Sequence, residues 1–289
     1  MKVLFLFIDG LGIRPAAKDN PVHSGICPTI CRLIEKHSVP IDACLDTPGL
    51  PQSATGQTAM FTGVNAAQYM GRHCEGFPGP SLRKVITENN LFMELSRKGL
   101  RCRFADAYAV DNVDDLQTRR FKSVTTVMAL TQPETISVQD DLLANQAVSH
   151  DITRQILHEK GHDIPTVRPA QAAEHLVDVA RSYDFTLFEF FQTDLAGHSR
   201  DYEHACNVLR MLDEFLDTVY ELCRTTNMLL ILTSDHGNIE AIGVRGHTRN
   251  PVPFVACGPG AEALQTHMTS LVDITPGITR TMVPGYTRS

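Results

Sequence analysis

Three short apolar runs in this sequence each end at an aspartate, and a glycine, a histidine or both follow each aspartate. The runs occupy residues 2–8, 185–191 and 228–232, and the aspartates are Asp9, Asp194 and Asp235. Short runs of bulky β-branched and aromatic residues are typical of strands buried on both faces of a parallel sheet. Because ligands bind at the carboxyl ends of such strands, we expect the three carboxylates to meet at one place. Their mutual repulsion makes a bound cation the natural partner.

Histidines accompany these carboxylates at spacings that suit a metal site. His198 lies four residues after Asp194 on one short loop or helix entrance, His236 directly follows Asp235, and His247 comes later in the chain. Three carboxylates and three imidazoles suit two borderline divalent ions, Zn²⁺ or Mn²⁺, better than Ca²⁺. Two such ions about 3.5–4 Å apart clamp the attacking and leaving oxygens of a phosphoryl group. The set therefore indicates phosphoryl-transfer chemistry.

A hydroxyl that could attack the phosphoryl group is found at Thr58. Residues 51–63 are small and polar at first and then apolar, which is typical of a loop running into a helix N-terminus. The helix dipole and the free amides of such a terminus receive an incoming phosphate, and a metal could ionise the Thr58 hydroxyl. A threonine that enters a helix can also be a simple cap, so the residues alone leave both interpretations open.

Strand and helix patterns alternate along the rest of the chain. Helices are predicted after Pro28 and at 91–98, 169–182, 201–224 and 271–282, and further strands at 40–45, 101–105 and 253–257. Residues 110–170 are polar and of mixed period, and we expect a small excursion from the sheet there. The predicted fold is a three-layer α/β/α sandwich with a mostly parallel central sheet, formed by residues 1–289 as a single domain.

Composition narrows the range of partners. The formal net charge is −7 and no basic block occurs, so neither nucleic acid nor an anionic membrane is an expected partner. No apolar run approaches the length of a membrane span. The eight cysteines are scattered without a Cys-x-x-Cys pair, and no signal peptide is recognisable, which favours a cytoplasmic location. We expect a small-molecule substrate; the oligomeric state stays open.

Taken together, the motifs resemble the metalloenzyme core of the alkaline phosphatase superfamily. The resemblance is greatest to the branch that contains cofactor-independent phosphoglycerate mutase and phosphopentomutase. It extends to about residue 258 and depends on five motifs in the family's order: Asp9-Gly-Leu-Gly12, Gly56-Gln-Thr58, Asp194-x-x-Gly-His198, Thr233-Ser-Asp235-His236-Gly-Asn238 and His247-Thr-Arg-Asn-Pro-Val-Pro253.

The resemblance implies a role for each candidate residue. One divalent ion would be held by Asp194, His198 and His247. The other would be held by Asp9, Asp235, His236 and the hydroxyl of Thr58. Thr58 would also be the residue that is transiently phosphorylated. Both ions are expected to be Mn²⁺ or Zn²⁺.

The same resemblance also indicates which reaction to expect: hydrolysis of a phosphate ester, or transfer of the phosphate to another position of the same substrate. Only a short stretch lies between Thr58 and Asp194, so the large second domain of the mutases is absent and water becomes the favoured acceptor. The predicted function is a phosphohydrolase that acts on a small phosphorylated metabolite through phosphothreonine. The alternatives are a phosphomutase with a reduced cap within 110–170, and a metal-stabilised binding protein without turnover.

Arginines are candidates to grip the substrate phosphate, because a guanidinium can bind phosphate through two parallel hydrogen bonds. Arg249 is the best candidate, since it lies two residues after His247. Arg14, Arg72 and Arg245 are further candidates.

Overall fold

A computed structural model describes residues 1–283 and 285, and its centre is a six-stranded sheet of order β2-β6-β5-β1-β4-β3. The strands are β1 Val3–Ile8, β2 Ser38–Ile41, β3 Cys102–Phe104, β4 Phe185–Phe190, β5 Leu229–Thr233 and β6 Val252–Cys257. Strands β3, β4, β1 and β5 run parallel to one another, and β6 is antiparallel to both of its neighbours, β5 and β2. The predicted α/β class with a mostly parallel sheet is confirmed, with one reversed strand.

Helices cover both faces of this sheet. They are α1 Pro28–His37, α2 Ser53–Thr62, α3 Ala66–Met70, α4 Pro80–Glu88, α5 Leu91–Ser96, α6 Asp114–Thr118, α7 Val124–Ala129, α8 Gln139–Leu143, α9 Gln155–Glu159, α10 Pro169–Ser182, α11 Gln192–Ser199, α12 Tyr202–Thr225, α13 Ala261–Gln265 and α14 Ile274–Met282. Short 3₁₀ turns lie at Pro21–His23, Pro133–Thr135, Ile239–Ala241 and Leu271–Asp273.

The alternation of side chains along β1 shows how the three layers form. Val3, Phe5 and Phe7 point into one apolar core, to which α2, α4, α5, α7 and α14 contribute. Leu4, Leu6 and Ile8 point into a second core, formed with α1, α10 and α12. Successive residues of a strand face opposite sides of a sheet, and burying both sides requires a continuous apolar run such as the one that opens this chain.

One predicted strand is shorter and earlier than expected. The pattern at 40–45 indicated a strand, whereas β2 ends at Ile41. The Asp42 carboxylate accepts hydrogen bonds from the amides of Cys44 and Leu45, at 3.0 and 2.8 Å. Leu45 and Asp46 then adopt positive φ values of 55° and 49°. This local turn chemistry competes with strand extension and ends β2.

Residues 110–170 form short helices beside the β3 end of the sheet. Helix α7 joins the first apolar core. Leu116 and Ile136 also belong to that core, and Val148 and Ile152 belong to the second one. A small separate core consists of Ala107, Leu142, Ala147, Leu157 and Ile164. An ion pair of 2.9 Å between Arg103 and Asp141 fastens α8 to β3. The segment therefore packs against the end of the sheet through both apolar and charged contacts.

Two further sequence features can be compared with the structure. None of the described helices combines the length and the apolar character needed to cross a bilayer. All eight cysteines are free thiols, and five of them are buried.

Candidate metal centre

The carboxyl ends of three adjacent strands bring the candidate ligands together. β1 lies between β4 and β5. Asp9 directly follows β1, Asp194 and His198 lie on α11 after β4, and Asp235 and His236 follow β5. Asp9 donates its amide to the carbonyl of Phe190 at 2.9 Å, which fixes the β1 and β4 ends against each other. The strand order thus places all three aspartates at one edge of the sheet.

Asp194, His198 and His247 form one ligand cluster. Their nearest ligand atoms all lie within 4.8 Å of one another. His198 Nε2 and His247 Nε2 lie 3.0 Å apart, and they approach Asp194 carboxylate oxygens at 3.3 and 3.5 Å. His247 donates Nδ1–H to the carbonyl of Pro51 at 2.8 Å, which leaves Nε2 as an electron-pair donor. Two such nitrogens facing each other beside a carboxylate fit a divalent cation between them.

A second cluster consists of Asp9, Asp194 and His236. His236 Nε2 lies 3.4 Å from Asp9 Oδ1 and 3.5 Å from Asp235 Oδ2. Asp9 Oδ1 is buried and has no hydrogen-bond partner among the described residues. A buried carboxylate oxygen without a partner is costly, and a cation would satisfy it. Asp194 contacts both clusters, whereas the sequence placed it with only one ion.

The electrostatics of the site also fit bound cations. Burial raises the pKa of Asp9 well above its usual value, and repulsion from Asp235, Asp194 and Glu189 raises it further. Burial raises the pKa of Asp235 to about 6. Burial lowers the pKa of His236 to about 3, so this imidazole is neutral at pH 7 and can donate its lone pair. Divalent cations would offset the repulsion among the carboxylates.

Amide side chains hold the carboxylates in place. Gln57 on α2 donates Nε2–H to Asp9 Oδ2 at 3.3 Å and to Asp235 Oδ2 at 3.0 Å. Asn238 donates Nδ2–H to Asp194 Oδ1 at 2.7 Å. A Cβ atom at Gly197 would stand only 2.5 Å from the Cγ atom of Asn238, so glycine is required for α11 to approach Asn238 this closely.

The carboxylate of Glu240 connects the loops that carry the ligands. It is fully buried and accepts four hydrogen bonds. The donors are Gly12 N at 3.0 Å, Asn238 N at 2.8 Å, Thr248 Oγ1 at 2.6 Å and Asn250 Nδ2 at 2.9 Å. These partners lie in the loops after β1, after β5 and after His247. Glu240 therefore fixes the three loops relative to one another.

The structure gives the Thr58 hydroxyl a different place from the expected one. Thr58 lies in the second turn of α2, is fully buried, and donates its hydroxyl to the carbonyl of Ala54 at 2.6 Å. Ser53, the first residue of the same helix, instead lies with its Oγ 3.0 Å from His236 Nε2. Of these two hydroxyls, that of Ser53 lies at the ligand cluster, whereas that of Thr58 is engaged within α2. The roles of Thr58 as ligand and nucleophile stay predictions.

Among the residues that the structure describes, Arg249 forms no hydrogen bond or ion pair with the clustered ligands. Its side chain is exposed, and its charge acts on the thiol of Cys44, where it favours the thiolate against the stronger opposing effect of burial. Its role in phosphate binding stays a prediction.

Sequence reasoning did not find Ser53, Gln57, Asn238, Glu240 and Glu189 as parts of this centre. A signal existed for Ser53, because it directly follows Pro51-Gln52 at the start of the predicted helix. Gln57 and Asn238 stand inside the quoted motifs but received no role there. Glu189 and Glu240 reach Thr125 and Gly12 across large separations in the chain, and no local pattern marks these two.

The metal-stripped protein is expected to lose stability as the pH rises from about 6.5 to about 8. Burial raises the pKa of Glu189 to about 7, so the folded state keeps a proton that the unfolded state has already lost. The resulting stabilisation is fully present below the ordinary glutamate pKa of about 4.5, decreases as the pH rises, and is lost once the pH has passed through about 7. The lowered pKa of His236 acts in the opposite direction while the unfolded-state imidazole titrates around pH 6.5. A variant that changes Glu189 alone retains this opposing effect.

Urea unfolding of the metal-stripped protein at both ends of this range measures the effect. The free energy of unfolding should fall by on the order of 1 kcal/mol. Glu189→Gln is the matched control, because glutamine can still accept the hydrogen bond that Thr125 Oγ1 donates to Glu189. An equally steep fall in the control would contradict the explanation.

The fold and the site together define the class of protein. An α/β/α sandwich with carboxylates and imidazoles clustered at the carboxyl edge of its sheet has the architecture of a metalloenzyme. The family model described as the Metalloenzyme superfamily matches residues 1–283, so this chain belongs to that superfamily. The resemblance predicted from the motifs is confirmed.

Individual relatives and solved structures are more distant. A 2,3-bisphosphoglycerate-independent phosphoglycerate mutase of Mycoplasma genitalium is 32% identical over 109 residues, which are 36% of this chain and 21% of that protein. The PH0037 protein of Pyrococcus horikoshii has a TM-score of 0.60 at 14% identity, covering 100% of this chain and 98% of that one. A cold-active alkaline phosphatase of Shewanella sp. has a TM-score of 0.57 at 12% identity, covering 96% and 99%. These likenesses to solved structures show the fold.

Proposed function

We propose that this protein is a two-metal phosphoryl-transfer enzyme that hydrolyses a small phosphomonoester through phosphoserine at Ser53. The observation that carries the proposal is the 3.0 Å distance between Ser53 Oγ and His236 Nε2. It puts a hydroxyl at the edge of a cluster of buried carboxylates and imidazoles. A structural site has no need of such a hydroxyl, whereas covalent phosphoryl transfer requires a nucleophile there.

The residues that would hold the ions fall into two groups that share Asp194. Asp194, His198 and His247 form one, and Asp9, Asp194 and His236 form the other. Asp235 lies beside the second group, with its Oδ2 3.5 Å from His236 Nε2. Ions bound there would favour ionisation of the Ser53 hydroxyl and neutralise charge on the phosphoryl oxygens. The mixed oxygen and nitrogen donors support Mn²⁺ or Zn²⁺.

The chemistry that follows from this arrangement has two steps. Ser53 Oγ forms a bond to phosphorus, the bond from phosphorus to the leaving oxygen breaks, and the proton lost by Ser53 ends on that oxygen. Water then attacks the phosphoserine, the Oγ–P bond breaks, and inorganic phosphate leaves as the serine hydroxyl is restored. Ser53 begins α2, and the positive end of the helix dipole favours the anionic phosphate in both steps.

The packing of residues 110–170 favours water as the acceptor. These residues contribute to both apolar cores of the sheet and form a small core of their own. Retaining a dephosphorylated intermediate requires a cover over the site, and a segment engaged in this way is a poor candidate for one. Phosphomutase activity is the second candidate, and the sequence similarity to a phosphoglycerate mutase supports it.

An activity panel tests the proposal. The purified protein, loaded with Mn²⁺ or Zn²⁺ and its metal content measured, is assayed against phosphomonoesters, diesters and sugar phosphates. We expect release of inorganic phosphate from monoesters. Isomerised phosphorylated product without free phosphate would favour the mutase. Full metal occupancy without turnover on any substrate would overturn the proposal in favour of a metal-stabilised binding protein.

A further inference from the structure

An open cavity of about 550 Å³ lies beside the first turn of the helix that carries Ser53. Gln52 lines it, and consecutive Cα atoms are only about 3.8 Å apart, so the cavity wall directly adjoins the proposed nucleophile. The other polar and aromatic members of its lining are Arg72, His73, Glu75, Phe77 and Ser81. A substrate phosphate at Ser53 would direct its organic group into nearby space, and this cavity provides it.

Another part of the cavity wall is hydrogen-bonded to the same helix. Thr55 donates its amide to the carbonyl of Cys74 at 3.3 Å, and Thr55 Oγ1 accepts from the amide of Cys74 at 3.2 Å. Cys74 itself lines the cavity. This reciprocal pair fixes the loop relative to Ser53, so a group bound in the cavity is held at a defined position from the nucleophile.

Phe77 offers a flat apolar surface in this cavity. Its side chain is 55% exposed, although a phenyl ring normally gains by being buried. The ring contacts Phe121, which does not line the cavity, with ring centroids 5.6 Å apart and an interplanar angle of 32°. The Arg120 guanidinium in turn lies 5.1 Å from the centroid of the Phe121 ring. An exposed ring held by its neighbours is ordered in advance for stacking against a ligand ring.

The size and charge of the cavity narrow the choice of ligand. Its volume is in the range of pockets that enclose ligands larger than a three-carbon acid. Arg72 and Glu75 have opposite charges, and the Ser81 hydroxyl can donate and accept hydrogen bonds. This wall suits a group that is neutral overall and bears hydroxyls as well as a planar ring.

We infer that the cavity binds a nucleoside, with its base stacked on Phe77, and that the substrate is therefore a nucleoside monophosphate. That a nucleoside monophosphate is turned over rests on the proposed phosphoryl transfer at Ser53. That the cavity binds a nucleoside does not. A nucleoside lacks phosphate, so its affinity reports on the cavity independently of the metal centre.

Calorimetric titration of the full-length protein with adenosine, guanosine, cytidine and uridine tests the binding. At least one of the four nucleosides is expected to bind. Phe77→Ala should raise the Kd of that nucleoside about tenfold, which corresponds to about 1.4 kcal/mol. Phe77→Leu, which keeps an apolar side chain without a ring, should behave like Phe77→Ala. Tyr69→Ala is the matched control, because Tyr69 is similarly exposed, at 54%, and does not line the cavity. Failure of all four nucleosides to bind, or unchanged affinity in Phe77→Ala, would overturn the inference.

Kinetics separate this inference from the proposed function. For the matching nucleoside monophosphate, Phe77→Ala should raise KM by about tenfold and leave kcat within about twofold. Turnover of glycerol phosphate should not change. Nucleoside binding that depends on Phe77 without any turnover would retain the cavity and remove the phosphoryl-transfer proposal. Preferential turnover of small aliphatic phosphates, unchanged in Phe77→Ala, would support the phosphoryl-transfer proposal and contradict nucleoside binding in the cavity.

Discussion

Ser53→Ala is expected to lower kcat for phosphomonoester hydrolysis by at least about 10³-fold while both metal ions remain bound. The substitution removes the proposed nucleophile, Ser53 Oγ, which lies 3.0 Å from His236 Nε2. It leaves the carboxylates and imidazoles of the clusters untouched. Rapid acid quenching of the unmodified protein during turnover, followed by peptide mass spectrometry, should find phosphate on Ser53. Metal analysis of the variant establishes that lost activity is not lost metal.

Thr58→Val is the matched control for this substitution. The Thr58 hydroxyl donates to the carbonyl of Ala54, which keeps its normal helical partner, the amide of residue 58, when valine replaces threonine. We expect kcat to stay within about threefold of that of the unmodified protein. Loss of turnover in Thr58→Val, with retention in Ser53→Ala, would restore the assignment that the sequence motifs imply.

The difference between these two hydroxyls shows where sequence reasoning reached its limit. Both belong to one short helix, and both fit the rule that a phosphate-binding hydroxyl lies near a helix N-terminus. Five residues along an α-helix correspond to a rotation of about 140° and a rise of about 7.5 Å. Ser53 and Thr58 therefore face different surroundings. Only the docking of α2 against the end of β5 decides which one meets His236, and that is a tertiary property.

The elements that carry the ligands were predictable because their signals are local and strong. Helix α10 has the bounds expected from its apolar stripe, and the three aspartate-bearing strands follow continuous apolar runs. The direction of β6 was not predictable, because a buried strand of six residues has the same apolar pattern whether it is parallel or antiparallel to its neighbours. The contacts of Gln57 and Glu240 were equally inaccessible, since each joins loops that are distant in sequence.

Asp194 has a position that no other ligand shares. Its carboxylate oxygens lie within 4.8 Å of the ligand atoms of His198 and His247, and also within 4.8 Å of those of Asp9 and His236. A carboxylate has two oxygens and can serve two cations at once. The hydrogen bond from Asn238 and the close approach permitted by Gly197 both act on this residue. The structure thus concentrates its positioning contacts on the ligand that joins the two clusters.

Asp194→Asn should therefore affect both metal positions, whereas His198→Ala should affect one. We expect Asp194→Asn to reduce bound metal from about two ions per chain to fewer than one after dialysis, and to lower kcat by at least about 10²-fold, because an uncharged amide is a much weaker ligand. His198→Ala should keep about one ion, since His198 belongs to a single cluster.

Asp201→Asn is the matched carboxylate-to-amide control: Asp201 caps α12 through its side chain, and asparagine caps a helix equally well. Two ions retained in Asp194→Asn would show that the clusters bind metal independently, and the shared role of Asp194 would be wrong. One ion lost in each variant would assign Asp194 to the His198 and His247 cluster alone, as the sequence motifs first implied.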